Sequence, residues 1–380
     1  MKTIRKLLYR DIVASVVFVS LAFMSLFFFI DFVDALESVG LRGGGAWQAF
    51  LAALLELPKD LYELFPIAVL IGTIYSLARM AQGSEYTILR TGGLGPVRAL
   101  RLLAVLGLGF AALTFVVGDF VAPAAQRQSV LLKARHSGGI TLPGTGAWLK
   151  EKRHTASGDR SYSVNVGGAN AAGNLTGIRI FEFDGDGRLV ARIQAREGRV
   201  LGTVETSGPA TGLAVWNLSD VQTTRWPAPG TEGPSQVTLV SQASAVWNSS
   251  LTAGVVSAAV LPVSTMTTLE LWRYSAHLDD QEQASQTHQI RFWRKALYPL
   301  ACLVMVALAL PFAYLHARAG GISLKVFGGI MLGISFVLLS NLSGHLGMLR
   351  GWTPWVAAAT PSILYLLLSM GAFAWLVRYR

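Results

Sequence analysis

The sequence predicts an α-helical polytopic membrane protein with six transmembrane helices and a β-sandwich or β-jellyroll domain inserted between the third and the fourth. Three observations predict it. The 380 residues are 52% hydrophobic and only 14% charged, with a mean hydropathy of +0.46, whereas soluble domains carry roughly 25% charged residues. Long apolar runs with few or no charges recur towards both ends of the chain. Between them the sequence turns polar, rich in Gly, Ser and Thr, and alternates with period two.

The first run, Ile12–Ile30, is uncharged. At about 1.5 Å per residue a helix of that length crosses a hydrocarbon core of roughly 30 Å. Lys2, Arg5, Lys6 and Arg10 precede it like the basic start of a signal peptide. However, the run is too long for a signal-peptide core, and Phe27-Phe28-Phe29-Ile30-Asp31-Phe32 is no small-residue cleavage site. A retained anchor is expected. The second run, Leu64–Ala78, is short, so its helix must extend at both ends with Arg79 snorkelling to the interface. The third is Leu102–Gly118, the fourth Ala296–Ala317, the fifth Val326–Leu349 and the sixth Gly351–Val377. Pro66, Pro299, Pro311 and Pro361 lie in or near these runs, which membrane helices tolerate.

Ile178–Phe183, then Asp184-Gly185-Asp186-Gly187, then Arg188–Ile193 reads as strand, tight turn and strand. Leu213–Trp216 and Ala243–Trp247 add further short strands, with Pro/Gly turns between Pro227 and Pro234. The expected organisation is residues 1–125 for the first three spans, including a short cytoplasmic helix at 83–93. Residues 126–266 form the β domain, 267–290 a connector helix, and 291–380 the last three spans.

Charge fixes the expected sidedness. With a cytoplasmic N-terminus, the inner segments carry Lys2, Arg5, Lys6, Arg10, Arg79, Arg90, Arg98, Arg101, Arg318, Lys325, Arg378 and Arg380 against only Asp11 and Glu85. That is the positive-inside pattern. The outer loop after the first span is acidic, with Asp34, Glu37, Glu56, Asp60 and Glu63. Both termini are then expected to be cytoplasmic and the β domain outside, in the periplasm if the cell is Gram-negative. The net charge of +10 accordingly reports topology and not a nucleic-acid partner.

Several chemistries are missing from the sequence. No Lys follows a Gly, so there is no Walker A loop, and neither H-E-x-x-H nor G-x-S-x-G occurs. The six His are scattered, and the single Cys302 excludes an intramolecular disulfide or a Cys-based zinc site. Asp184–Gly187 reads as a hairpin turn, since the later ligands of a calcium loop are lacking. No catalytic residue, metal site or chain-bound cofactor is expected.

Three segments remain as carriers of function. Ser84 and Glu85 suit a helix start and Gly92-Gly93 a helix stop. The short amphipathic helix between them, with Tyr86, Leu89 and Arg90, suits docking on a soluble partner, or simply joins two spans at the interface. Asp31 and Asp34 share a face at the outer end of the first span, and Asp119 lies at equivalent depth in the third. Arg291, Arg294 and Lys295, with Trp293 among them, run against the positive-inside trend at the outer end of the fourth span, which suits an anionic headgroup or a Trp/Arg anchor belt. Gly329-x-x-x-Gly333 offers close helix packing in the fifth.

These residues match a pattern. Phe32-Val33-Asp34, Leu57-Pro58-Lys59-Asp60, Phe65-Pro66, Met80-Ala81-Gln82-Gly83-Ser84-Glu85, and Trp293-x-Lys295 before Pro299-Leu300 resemble, in order, the lipopolysaccharide-export permeases of the LptF/LptG type. The Pro-Lys-Asp and Ala-Gln-x-Ser-Glu stretches are similar to LptG-type members in particular. The resemblance implies a permease subunit of an ABC-type exporter that extracts lipopolysaccharide from the outer leaflet and passes it to a periplasmic bridge. ATP would be used by a separate cytoplasmic ATPase dimer. The further partners implied are a paralogous LptF permease, the single-span protein LptC and a bridge protein. Ser84–Gly92 would be the coupling helix, with Glu85 engaging the ATPase.

A concave, apolar jellyroll would shield acyl chains, whose exposure costs about 0.8 kcal/mol per CH₂. One position departs from the pattern. A basic residue commonly precedes Phe-Val-Asp in LptG-type chains, where it can meet lipid A phosphates, and here that residue is Asp31. The charge is then expected from Arg291, Arg294 and Lys295, or from Lys133 and Arg135. The alternatives are an ABC membrane subunit that transmits force without moving lipid, and an ion-coupled transporter using Asp31, Asp34 and Asp119.

Overall fold

The computed structural model describes residues 2–40, 45–93, 95–137, 140–141, 146–155, 158–170, 174–203, 213–227, 236–260, 262–280, 286–314 and 321–378. In chain order the elements begin with α1 (Lys2–Gly40), α2 (Ala46–Gln82), α3 (Glu85–Thr91), α4 (Pro96–Val116), a π-helical turn (Val117–Val121) and α5 (Ala122–Ser137). Seven strands follow: β1 (Ile140–Thr141), β2 (Ala147–Thr155), β3 (Gly158–Ala169), β4 (Leu175–Phe183), β5 (Leu189–Thr203), β6 (Ala214–Arg225) and β7 (Thr238–Ser249). The chain continues through α6 (Ala253–Val260), a 3₁₀ turn, α7 (Thr268–Asp280), α8 (Gln286–Tyr314), α9 (Ile322–Arg350) and α10 (Pro354–Arg378).

Two compact units result. One holds the helices up to Gln126 and from Gln286 onward, and the other comprises Arg127–Ser285. Among the described residues six helices are long and apolar enough to cross a membrane: Arg5–Glu37, Ala46–Gln82, Pro96–Leu132, Gln286–Tyr314, Ile322–Arg350 and Pro354–Trp375. The first five are longer than the apolar runs that the sequence marks, and the sixth starts three residues later than its run. Lipid forces hydrogen bonding into the helix, and nothing in the flanking residues stops it at the interface. Asp34 and Glu37 therefore ride on α1, and Glu56, Asp60 and Glu63 on α2. This corrects the reading of those acidic residues as loop.

The second and fourth spans form the centre, since their apolar windows are the most buried. Small residues set the closest approaches. Gly72 of α2 lies against the backbone of Val16 in α1, and Gly107 of α4 against Leu303 and Val306 of α8. Inside, Leu70, Ile74, Leu77, Leu103, Met305 and Leu310 share one apolar cluster. There Thr114 and Cys302 place their side chains 3.2 Å apart across α4 and α8.

The other unit is a single antiparallel sheet in the order β1-β3-β4-β5-β6-β7, with β2 also pairing β3. The hairpin expected at 184–187 joins β4 to β5. The Asp184 N–H donates to the Arg188 carbonyl, and the Asp184 carboxylate accepts from the N–H groups of Asp186 and Arg188. Gly187 supplies the positive φ of 77°. That carboxylate holds the turn, as the hairpin reading requires. Leu149, Val164, Ile178, Ile180, Trp216 and Leu218 make the apolar side of the sheet, and α6 packs on β2, β3 and β5. The sequence reading had no α6 and placed the connector helix at 267–290. The structure ends that helix at Asp280, and 281–285 lie outside the described residues.

Glu151 is fully buried within this sheet. Arg153 binds it through both Nε and Nη2, Ser249 donates its hydroxyl, and Ser250 its N–H. Burial pushes the Glu151 carboxyl up, but these donors, Arg153 foremost, more than offset it and hold it below the ordinary glutamate value. The Arg153 guanidinium lies over the rings of Tyr162 and Trp247 at 4.6 and 5.4 Å. At the start of α7, Thr267 and Glu270 cap each other reciprocally. Burial raises the Glu270 carboxyl, whereas the Thr267 N–H and the paired Arg127 lower it, and the net shift is downward.

Candidate functional site

The candidate site has two ends, both in the helical unit. At one end α3 is set off from α2 by a break. Gly83 caps α2, and Ser84 takes a left-handed φ of 58°, which a side chain resists. The Ser84 carbonyl then accepts the Ile88 N–H, and the Ile88 carbonyl accepts the Gly92 N–H, closing a two-turn helix that Gly93 ends at φ 99°. Its two faces differ. Tyr86 is buried and packs edge-on against Tyr314, the last residue of α8, with ring centroids 5.3 Å apart. Leu89 packs against the apolar cluster. Glu85 is exposed, and Ile88 is 67% exposed. A short helix held by one aromatic and showing an unpaired apolar residue beside a carboxylate can dock on a groove. Arg90 belongs to this helix, but its side chain lies outside the described residues. Beside α3, Arg79 of α2 pairs with Asp11 of α1 at 2.9 Å.

Following α8 from Tyr314 for about 30 Å leads to the other end, where Arg291, Arg294 and Lys295 lie within two turns. The structure gives the three cations different settings. Arg291 is exposed. Arg294 donates to the Asn341 side-chain oxygen of α9 at 3.0 Å, tying the fourth span to the fifth. Lys295 is mostly buried, 4.0 Å from Asp119 in the π turn of the third span. A π turn adds a residue to the helix and re-aims side chains, often at functional positions. Around this pair, Tyr62 of α2 and Tyr298 of α8 pack with ring centroids 4.7 Å apart, and Tyr62 fills the space beside Gly118.

Asp31 of α1 lies beside Asp60 of α2 instead. Each of these two carboxyls keeps one buried oxygen without a partner. Asp34, one turn further along α1, is exposed. Lys133 and Arg135 lie on α5, and their side chains are outside the described residues. Gly329 and Gly333 face Ile74 and Ile67 of α2, so α2 occupies that small-residue face within the chain. The Asp31–Asp60 contact and the Asn341 partner of Arg294 escaped the sequence reading. Each joins residues dozens of positions apart, and no local pattern marks them. Among the described residues, no group of three or more His, Cys, Asp or Glu is placed to hold a metal ion.

Residues 6–378 match the family model described as lipopolysaccharide export system permease LptF/LptG. The chain is 26% identical over 343 residues to the lipopolysaccharide export system permease protein LptG of Escherichia coli (strain K12), covering 90% of this chain and 89% of that protein. It is 23% identical over 368 residues to the protein of the same name from Haemophilus influenzae, covering 96% of each.

Proposed function

The chain belongs to the LptF/LptG family of lipopolysaccharide export permeases, and from that premise we propose that it is the LptG-type subunit of an ATP-driven exporter. In this reading the bundle lies in the inner membrane with both termini cytoplasmic and the β domain periplasmic. It pairs with an LptF-type permease on an ATPase dimer, and LptC and a bridge protein receive the lipid. The chain itself hydrolyses nothing and holds no cofactor. The observation that carries the reading is the family match over nearly the whole chain, on six helices that meet the length and hydropathy of membrane spans.

The geometry supports a division of labour. Closure of the ATPase presses on Glu85 and Ile88, Tyr86 passes the push to the end of α8, and α8 carries it to the cations at its far end. Arg291 and Arg294 are the phosphate-facing pair in this account. Arg294 exchanges its bond to the neutral Asn341 amide for an ion-paired bond to a substrate phosphate, in which both partners are charged and the fork can bind through two N–H groups, and so loosens α9. Lys295 holds the π turn through Asp119, and Asp31 is occupied by Asp60 rather than turned to the lipid.

The test is purification and crosslinking. The tagged chain should bring down an ATPase and a paralogous permease, and a photo-crosslinker beside Arg291 should capture lipopolysaccharide. Arg291→Glu with Arg294→Glu should abolish that capture while the complex persists. Capture that is unchanged in the double variant sinks the assignment of the cations.

A further inference from the structure

Away from the membrane site, the β unit has a feature the export reading leaves unused. A hollow of about 620 Å³ crosses β4, β5, β6 and β7. It follows a crease in the sheet. Cα pairing runs through Ile178, Ala195, Val221 and Gln242 on one side and through Thr176, Glu197, Ser219 and Ser244 on the other. It passes over the row between them, which is Gly177, Arg196, Asp220 and Ala243. All four residues of that row line the hollow. Two of them have left-handed backbone, Gly177 at φ 64° and Asp220 at φ 51°.

Glycine adopts that conformation freely. Asp tolerates it better than most residues, yet any side chain there is unusual. A non-glycine residue at such a point brings a side chain that the fold alone does not ask for. Here it brings a carboxylate into the hollow, with Arg196 3.8 Å away and both largely exposed.

The rest of the lining decides the ligand class. Arg179, Gln194, Gln222 and Ser241 are paired in register across the four strands and so share one face. Apolar Ile178, Ala195 and Val221 of the neighbouring row are buried towards the core. The hollow thus has a polar rim over an apolar floor of Ile178, Ala195 and Val221, and the rim carries its specificity. Amide side chains offer a donor and an acceptor each, which matches hydroxyl groups that are both. Guanidinium forks match carboxylate or phosphate. Three strand spacings give a track of about 14 Å, longer than one sugar ring.

We propose that this crease binds an acidic oligosaccharide, with Arg179 and Arg196 on its anionic groups and Asp220, Gln194 and Gln222 on its hydroxyls. The sugar portion of the exported glycolipid is the nearest source, and only that choice of source rests on the permease reading.

The test uses the full-length permease complex in nanodiscs and measures binding of fully deacylated, phosphorylated lipopolysaccharide oligosaccharide. Oligogalacturonate, the dephosphorylated oligosaccharide and inorganic phosphate are the other probes. Asp220→Gly removes the carboxylate while freeing the backbone, so the unfolding temperature should hold or rise as affinity falls about tenfold or more. Exposed Gln222→Ala and Arg179→Ala should each weaken binding without moving the unfolding temperature. Preference for the lipopolysaccharide sugar identifies the cargo, and equal binding of oligogalacturonate identifies a general acidic-glycan site.

Affinity unchanged in all three variants overturns the proposal. So does competition by inorganic phosphate at the same concentration as the oligosaccharide, which would reduce the crease to an anion patch. Absence of an ATPase from the purified complex would strike the permease reading alone, because glycan binding is read separately.

Discussion

Replacing Tyr86 by Leu tests how a push on α3 reaches the bundle. Leu keeps an apolar side chain over α8 but removes the edge-on ring contact with Tyr314, 5.3 Å between centroids at 81°. Such a pair contributes about 0.5–1.5 kcal/mol beyond the area it buries. Loss of that amount weakens the hold of α3 on α8 by roughly two- to twelvefold, since 1.4 kcal/mol is a factor of about ten. Both rings are nearly fully buried, so the upper half of that range applies. The complex with its ATPase and paralogous permease, in proteoliposomes, should therefore release about five- to tenfold less lipopolysaccharide per ATP hydrolysed. Hydrolysis itself should change little, because Glu85 and Ile88 remain on the exposed face. Tyr86→Phe keeps the ring and should behave like the parent. Tyr314→Leu should match Tyr86→Leu, and the double variant should be no worse than either single one. Additive losses in the double variant, or hydrolysis and release falling in parallel, would refute the reasoning. The rings would then act separately, or serve only to seat the ATPase.

Other substitutions address the scaffold. Gly72→Ala places a methyl group 2.7 Å from the backbone N and Cα of Val16. It should cost about 1–3 kcal/mol and lower the unfolding temperature in detergent. Gly329→Ala meets only the movable end of Ile74 and should cost visibly less. In the β unit, Glu151→Gln leaves Arg153 without its anion. The loss should be about 3 kcal/mol, the low end for a broken buried pair, because the Arg153 side chain keeps 20% exposure. The folded Glu151 carboxyl sits below the ordinary glutamate value. Its contribution is thus complete above that value and disappears as the pH falls through the folded one. Denaturant titrations between neutral and acidic pH should show the parent losing this increment, whereas Glu151→Gln lacks it throughout. Lys295→Met should remove the ammonium that faces Asp119 in the π turn and destabilise the bundle. Lys295→Met combined with Asp119→Leu should recover part of the loss in a thermal assay.

What the sequence made legible followed from how local each signal was. Six spans were readable because burial in lipid demands unbroken apolar residues. Their ends were not, since a helix continues through charged residues such as Asp34, Glu37 and Asp60 at no backbone cost. The β4–β5 hairpin was readable from Asp184–Gly187, whose turn chemistry lies within four residues. The crease was not. Gly177 inside a strand pattern is a recognised sign of a bend, but Asp220 carries no mark in the sequence of its φ of 51°.

At the membrane site the amphipathic α3 was visible from its caps, and the division of its residues into a Tyr86 face and an Ile88 face needed the structure. The cations of α8 were visible as a cluster against the charge trend. That Lys295 is committed to Asp119, and Arg294 to Asn341, depends on contacts between helices far apart in sequence.

The central claim is that α3 converts ATP hydrolysis on another subunit into lipid release. Its most direct test is ATP-dependent release of lipopolysaccharide from proteoliposomes to a soluble acceptor, compared between the parent complex and Glu85→Ala at equal assembly. Release in Glu85→Ala should fall to the level seen without ATP while the complex stays intact. Release that persists in Glu85→Ala, or that proceeds without ATP and follows an imposed proton gradient, would contradict it.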